Sequence, residues 1–183
     1  MPSVLVPLAQ GCEELEAVTI IDLLRRAGID VVTASLDSEP IRASRGTVLI
    51  ADQILDQALQ QSFDMVVLPG GLPGADHLNT DPRILKLLAK MADMNQFIAA
   101  ICAAPKVLAT AGLLSGKRAT AFPGVLEKLS LPDTDIVKDP VVIDGNVITS
   151  RGPGTAMDFA LQLIELLTDK DKRNSVEAAL QRP

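Results

Sequence analysis

The chain has 183 residues, 48% hydrophobic and 22% charged, with a formal net charge of −6. That length suits one domain, residues 1–183, with a sizeable apolar core, and no shift in composition marks a second. With an aromatic share of 2% and neither Trp nor Tyr, base-stacking platforms are excluded, and the negative charge argues against a phosphate-backbone binder, so no dedicated nucleic-acid site is expected.

Strand and helix signals alternate from the start. Ser3–Leu8 is an apolar first strand with neither the basic region nor the length of a signal peptide before it. Glu13–Ala27 carries Leu15, Val18, Ile21 and Leu24 at helical spacing. Acids at its beginning and Arg25-Arg26 near its end suit the helix dipole, and Gly28 is a stop. Ile29–Ser35 predicts a second strand, and Ile41–Ile50, broken by Arg45-Gly46, a hairpin on the sheet margin. A short helix over Ile54–Gln61 leads to a strand over Phe63–Leu68 and a glycine-rich loop, Pro69–Gly74. Asp81-Pro82 opens a helix to about Asp93, with Ile84, Leu85, Leu87, Leu88 and Met91 on its apolar face. Phe97–Ile101 is apolar without alternation, the pattern of a parallel strand buried on both faces. Beyond the Gly112–Gly116 loop come a strand over Arg118–Phe122 and a helix over Val125–Leu129. Val141–Asp144 and Val147–Ser150 read as a hairpin about Gly145-Asn146. Thr155 is placed to cap a helix reaching Leu167, with Asp158 three residues on, and Ser175–Gln181 is a last short helix. No apolar run is long enough to span a membrane as a helix.

Alternating units of this kind predict an α/β fold: a doubly wound, mostly parallel sheet between helical layers. Ligands in such sheets gather at the carboxyl ends of the strands. Three loops fall there: Gln10–Glu16, Pro69–Gly74 and Cys102–Pro105. Cys102 ends a buried strand, has small neighbours, and precedes helical Lys106–Ala109 with Pro105 in the first turn. That is the geometry of a nucleophile elbow; the ordinary alternative is a buried small hydrophobe. Glu13, Glu14 and Glu16 have an ordinary reading as first-turn acids, and Arg45 as an edge-strand charge. Gly70-Gly71 reads as a βα turn or a phosphate cradle, but a P-loop lysine and a G-x-G-x-x-G fingerprint are both absent. His77 stands alone without metal-site spacing around it, so no metal is expected. Cys12 and Cys102 could in principle pair. A cytoplasmic protein with a functional thiol is the better expectation, with Cys12 a spare thiol or a resolving partner for oxidised Cys102.

Four stretches in order carry a resemblance: Gly11-Cys12-Glu13-Glu14-Leu15-Glu16, Val67-Leu68-Pro69-Gly70-Gly71, Ala99-Ala100-Ile101-Cys102-Ala103-Ala104-Pro105 and Thr149-Ser150-Arg151-Gly152-Pro153-Gly154-Thr155. They resemble the ThiJ/PfpI superfamily, in the branch of the parkinsonism-associated deglycase and bacterial YajL. The resemblance implies a flavodoxin-like three-layer α/β/α sandwich, a homodimer, no cofactor, and a reactive cysteine on an elbow. By position it implies Cys102 as nucleophile and Glu16 as its partner carboxyl group. Gly71 and Ala103 would offer backbone N–H groups to the reacting oxygen, with Gly70 shaping the turn. Arg45, and with less support Arg26, would approach the site from across the dimer. Where some members carry Thr-His-Pro, this chain has Ala121-Phe122-Pro123, and Ala103 rather than a histidine follows Cys102, so a Cys-His peptidase mechanism lacks its base.

The expected chemistry is addition of a Cys102 thiolate to α-oxoaldehydes such as methylglyoxal or glyoxal, or to their early glycation adducts. A helix N-terminus would lower the thiol pKa, and a protonated Glu16 would donate to the sulfur and act as acid and base. The competing expectations are an oxidative-stress sensor using the same Cys102, and a holdase chaperone.

Overall fold

In the computed structural model, which describes residues 1–182, the chain opens with β1 (Ser3–Leu8), α1 (Glu14–Arg26) and β2 (Asp30–Ser35). A small hairpin, β3 (Ile41–Arg42) and β4 (Val48–Leu49), precedes β5 (Gln53–Ile54) and the single turn α2 (Leu55–Ala58). Then come β6 (Met65–Leu68), α3 (Gly74–Thr80), α4 (Pro82–Asp93), β7 (Phe97–Ile101) and α5 (Pro105–Thr110). Short β8 (Arg118–Ala119) and β9 (Asp135–Ile136) lead to the hairpin β10 (Val141–Asp144) and β11 (Val147–Ser150), and α6 (Ala156–Leu167) and α7 (Lys170–Ala179) follow.

The main sheet has seven strands in the order β10-β11-β7-β6-β1-β2-β5, parallel throughout except for β10 against β11. The chain leaves β1 toward β2 and β5, then returns to build β6, β7 and β11 on the other side. The direction reverses between β1 and β6, which opens a crevice at their carboxyl ends. Successive strand residues point to opposite faces. Val4, Val6, Leu8, Val67, Ile101 and Ile148 join one core with Ile20 and Leu24 of α1, Phe159 of α6 and Val176 of α7. Leu5, Val66, Leu68, Ile98 and Ala100 join the other with Leu55 of α2, Ile84 and Leu88 of α4, and Val107 of α5. Both faces are covered, giving the expected three layers.

Several local expectations are corrected. On α1 the buried stripe is Glu16, Ala17, Ile20, Leu23 and Leu24, whereas Leu15 and Val18 are 51% and 46% exposed. The helix has apolar residues on two faces, and the one with the better 3–4 spacing takes the core. The β3–β4 hairpin forms its own two-stranded sheet rather than the margin of the main one, and that margin is β5, which takes Ile54 from the start of the predicted helix. Val125–Leu129 makes separate turns, closed by Val125 N–H to Phe122 and Leu129 N–H to Leu126. Pro123-Gly124 before it and Pro132 after it leave no room for a helix. Thr155 does not cap α6 with its side chain: Oγ1 turns back to accept the N–H groups of Arg151 and Gly152 at 3.2 and 3.1 Å, and Asp158 pairs with Arg182 instead. The last helix begins earlier than expected, at Lys170, where Asp169 caps it through Lys172 N–H. Among the described residues no helix is long and apolar enough to cross a membrane.

Candidate active site

The three loops predicted to meet do meet, backbone on backbone. Glu13 N–H donates to the Gly70 carbonyl at 2.9 Å, and Gly74 N–H to the Gly11 carbonyl at 3.3 Å. Gly71 has φ +87°, and a Cβ there would lie 2.4 Å from Glu13 N, so only glycine permits this approach. Glu13 caps α1, its carboxylate accepting Glu16 N–H at 2.8 Å. The spacing 16, 20, 23 then turns Glu16 inward, where it is fully buried.

Glu16 Oε2 accepts the Gly70 N–H at 2.9 Å. Oε1 is buried without a well-aligned partner, although the carboxyl group interacts directly with the Cys102 side chain. Gly70 separates the two groups by no more than its own width. A Cβ on it would sit 2.6 Å from Cys102 Cβ and 2.7 Å from Glu16 Oε2. Cys102 has φ +63°, the strained conformation of an elbow, pinned by its N–H to the Ser150 carbonyl at 3.0 Å and by Phe122 N–H to its own carbonyl at 2.9 Å. The backbone N–H groups of Gly71 and Ala103 lie near enough to the Cys102 thiol to favour its ionised form.

Burial pushes the Glu16 carboxyl group from 4.5 up to about 7, against the pull of Cys102 and the Gly70 amide. Burial also pushes the Cys102 thiol from 9.0 up to about 12; the charge of Glu16 and its hydrogen bond add to this, and the Gly71 and Ala103 amides oppose it. This reverses the expectation of a thiol lowered by a helix N-terminus. The first residue of α5 is Pro105, which has no N–H to offer, and the desolvation is larger than what two amides return. The two groups titrate as one unit. Between about pH 7 and about 12 the pair holds a single proton, on either oxygen or sulfur, and moving it to Glu16 removes the charge that opposes the thiolate.

Cys102 is only 8% exposed but opens on a cavity of about 330 Å³, lined also by Glu13, Ser44, Arg45, Gly71, Ala103 and the apolar Leu72, Phe122, Val125 and Pro153. Arg45 lines it within the same chain. Glu14 arranges this by accepting Ser44 Oγ–H at 3.0 Å and Arg45 N–H at 2.9 Å; despite some desolvation these hydrogen bonds bring Glu14 down to about 2. Glu14 is therefore more than a first-turn acid. Arg26 is not brought to the site: it ends α1, about 18 Å along the helix from Glu14, and pairs with Asp22 at 2.6 Å. Cys12 is 1% exposed and outside the cavity. His77 is exposed on α3, beside a larger hollow of about 380 Å³ lined with Ser35, Asp37 and Asp81 that contains no cysteine. Among the described residues no group of three or more His, Cys, Asp or Glu side chains could hold a metal ion. The sequence reading missed Ser44 and the apolar lining. The half-exposed Phe122 was visible there only as the residue standing in a histidine's place.

A parallel, doubly wound sheet with an elbow cysteine beside a buried glutamate defines the class, and the comparisons agree. Residues 2–166 match the DJ-1/PfpI family, and the chain belongs to it. It is similar to "Protein DJ-1 homolog B" of Arabidopsis thaliana, 47% identical over 173 residues, which cover 93% of this chain but 39% of that protein, so this chain spans about two fifths of that relative's length. It is 36% identical to the "Glutathione-independent glyoxalase DJR-1.2" of Caenorhabditis elegans, covering 91% of this chain and 89% of that one. The crystal structure of Drosophila melanogaster DJ-1beta superimposes with a TM-score of 0.95 at 43% identity, covering 100% of this chain and 98% of that one.

Proposed function

We propose that the protein is a cofactor-free, cysteine-dependent enzyme that converts α-oxoaldehydes such as methylglyoxal and glyoxal to α-hydroxy acids. The observation that carries this reading is the Cys102 elbow set against the buried Glu16 carboxyl group across Gly70, at the floor of a cavity open to a small carbonyl compound. Glu16 takes the thiol proton as Sγ bonds to the aldehyde carbon, and the carbonyl π pair becomes an alkoxide beside the Gly71 and Ala103 amides. Protonation of that oxygen gives a hemithioacetal. Glu16 then removes the proton from the carbon bonded to sulfur and returns it to the neighbouring carbon through an enediol, leaving a thioester. Water hydrolyses the thioester, releasing the hydroxy acid and restoring the thiol. On an early hemiaminal adduct Sγ displaces the amine instead: the C–S bond forms as the C–N bond breaks, Glu16 passes the thiol proton to the leaving nitrogen, and the same hemithioacetal results, which is the deglycase form of the reaction. The test is loss of methylglyoxal and gain of lactate by purified protein without added glutathione or metal. No lactate, or full turnover by Cys102→Ser, removes the reading.

An oxidative sensor is the second reading, favoured by one asymmetry: Cys102 opens on a cavity and Cys12 does not. Under mild peroxide, mass spectrometry is expected to find sulfinate at Cys102 alone, and equal oxidation of Cys12 counts against it.

We also infer that two copies associate through the outward face of α1. Leu15 and Val18, with Val48 and Ile50 of the hairpin at 53% and 85% exposure, form apolar surface that one chain leaves in water. Val18→Asp is expected to shift the mass in solution from dimer to monomer. A monomeric wild type would remove the inference, and with it the remaining route by which Arg26 could reach a site.

A further inference from the structure

The cavity is larger and more apolar than a two- or three-carbon aldehyde requires. At about 30 Å³ of liquid per water, about 330 Å³ equals about eleven waters, whereas glyoxal has four heavy atoms. One part of the lining is polar, Glu13, Ser44 and Arg45; another is Leu72, Phe122, Val125 and Pro153. Leu72 is 60% exposed and Phe122 50% exposed. Leaving one of only four aromatic residues half in water is unfavourable, and neither core claims it. Its position is fixed all the same. Phe122 N–H is bonded to the carbonyl of Cys102, which fixes the Phe122 backbone beside the elbow, and the ring lies over Gly152, where a Cβ would come within 3.3 Å of Cδ2.

We propose that this cavity selects α-oxoaldehydes carrying an apolar side group of several carbons, and that Phe122 and Leu72 are the specificity-determining residues. The side group lies against the apolar lining while the aldehyde carbon meets Sγ, and Arg45 faces the carboxylate of the product. The inference rests on the α-oxoaldehyde reading and refines its substrate class. Purified protein is assayed for kcat/KM with glyoxal and with isobutylglyoxal, in wild type, Phe122→Ala and Leu72→Ala. Intrinsic reactivity of the two aldehydes cancels when each variant's isobutylglyoxal-to-glyoxal ratio is divided by that of wild type. The ratio is expected to fall at least about tenfold in Phe122→Ala and several-fold in Leu72→Ala. A ratio unchanged in both variants overturns the specificity inference and leaves the enzymatic reading standing; no turnover of either aldehyde by wild type overturns both. Inhibition of wild type gives a second measurement independent of the variants' folding. The branched α-hydroxy acid is expected to inhibit at least about tenfold more tightly than glycolate, and equal inhibition overturns the proposal.

Discussion

Cys12 and Cys102 lie in loops that follow parallel strands of one sheet, are both free and buried, and have thiols pushed up to the same level, about 12. Their surroundings differ in what can be undone. At Cys12 burial is followed by the charges of Glu14 and Glu13, and those carboxylates are engaged in capping α1 and holding the Ser44-Arg45 turn. The charge of Glu16 reaches Cys12 only as the last and smallest of these influences, with no hydrogen bond between them, and the Cys12 loop is pressed against Gly71 and Gly74, where an added Cβ would come within about 3 Å of Cys12 backbone atoms. At Cys102 burial is followed by Glu16, which accepts a proton near neutral pH and so can cancel its own opposition. Two amides wait to hold the resulting negative charge. A raised pKa from burial and committed charges marks an inert thiol. The same value, arising in part from a charge that the thiol's own proton can neutralise, marks a reactive pair.

The sharpest way to break this comparison is to remove each sulfur. Cys102→Ser is expected to lower methylglyoxal kcat/KM by at least about a thousandfold, whereas Cys12→Ala stays within a few-fold of wild type. Similar losses in both would mean that the two thiols are not distinguished by their partners. Glu16→Gln comes next, at about 10²–10⁴-fold, with a change in pH profile that a merely structural role would not produce. Below about pH 7 the pair holds two protons and no base is available; above it one proton remains, so wild-type kcat/KM rises as pH passes through about 7. The rise should vanish in Glu16→Gln, and a variant that keeps it would assign the titration elsewhere. Gly70→Ala should cost less, about 10–100-fold, because its methyl group, within 3 Å of Cys102 Cβ, Glu16 Oε2 and the Ile101 carbonyl, drives the pair apart without removing either. Gly154→Ala, with open space around it, is the control and should match wild type.

Much of this was legible in the chain before any coordinates. The unbroken apolar run Phe97–Ile101, then Cys102, then Pro105 encodes strand, elbow and helix through local rules alone. Glu16 was reached through the resemblance and not through periodicity. The Leu15, Val18, Ile21 stripe suggested the wrong core face, and only packing against α6 and the sheet decides between two apolar faces. The role of Gly70 was hidden, because its neighbours Cys102 and Glu16 lie 32 and 54 positions away in sequence and the glycine matters as the space between them. Strands β5 and β9 have two residues each, too few for a period-two pattern to register, whereas β8 is the start of the longer strand expected over Arg118–Phe122. The apolar cavity lining comes from three separate segments, so no window of sequence displays it.

The smallest expected effect is on stability, and it has an unusual sign. Glu16 has a folded pKa of about 7 against 4.5 in the open chain. Between those values the native protein keeps a proton that the unfolded chain releases. The group therefore costs stability as pH rises from about 4.5 to 7, at roughly 1.4 kcal/mol per pH unit, on the order of 3 kcal/mol in all. Cys12 titrates far above this range and adds nothing there. Glu16→Gln, with no charge to desolvate, should be close to wild type in denaturant midpoint at pH 5 and more stable at pH 8, by up to about 3 kcal/mol. A variant less stable than wild type at both pH values would show that the Oε2 bond to Gly70 outweighs the desolvation of the charge. The raised pKa of Glu16 would then lose its physical cause, and with it the proton that sets Cys102 apart from Cys12.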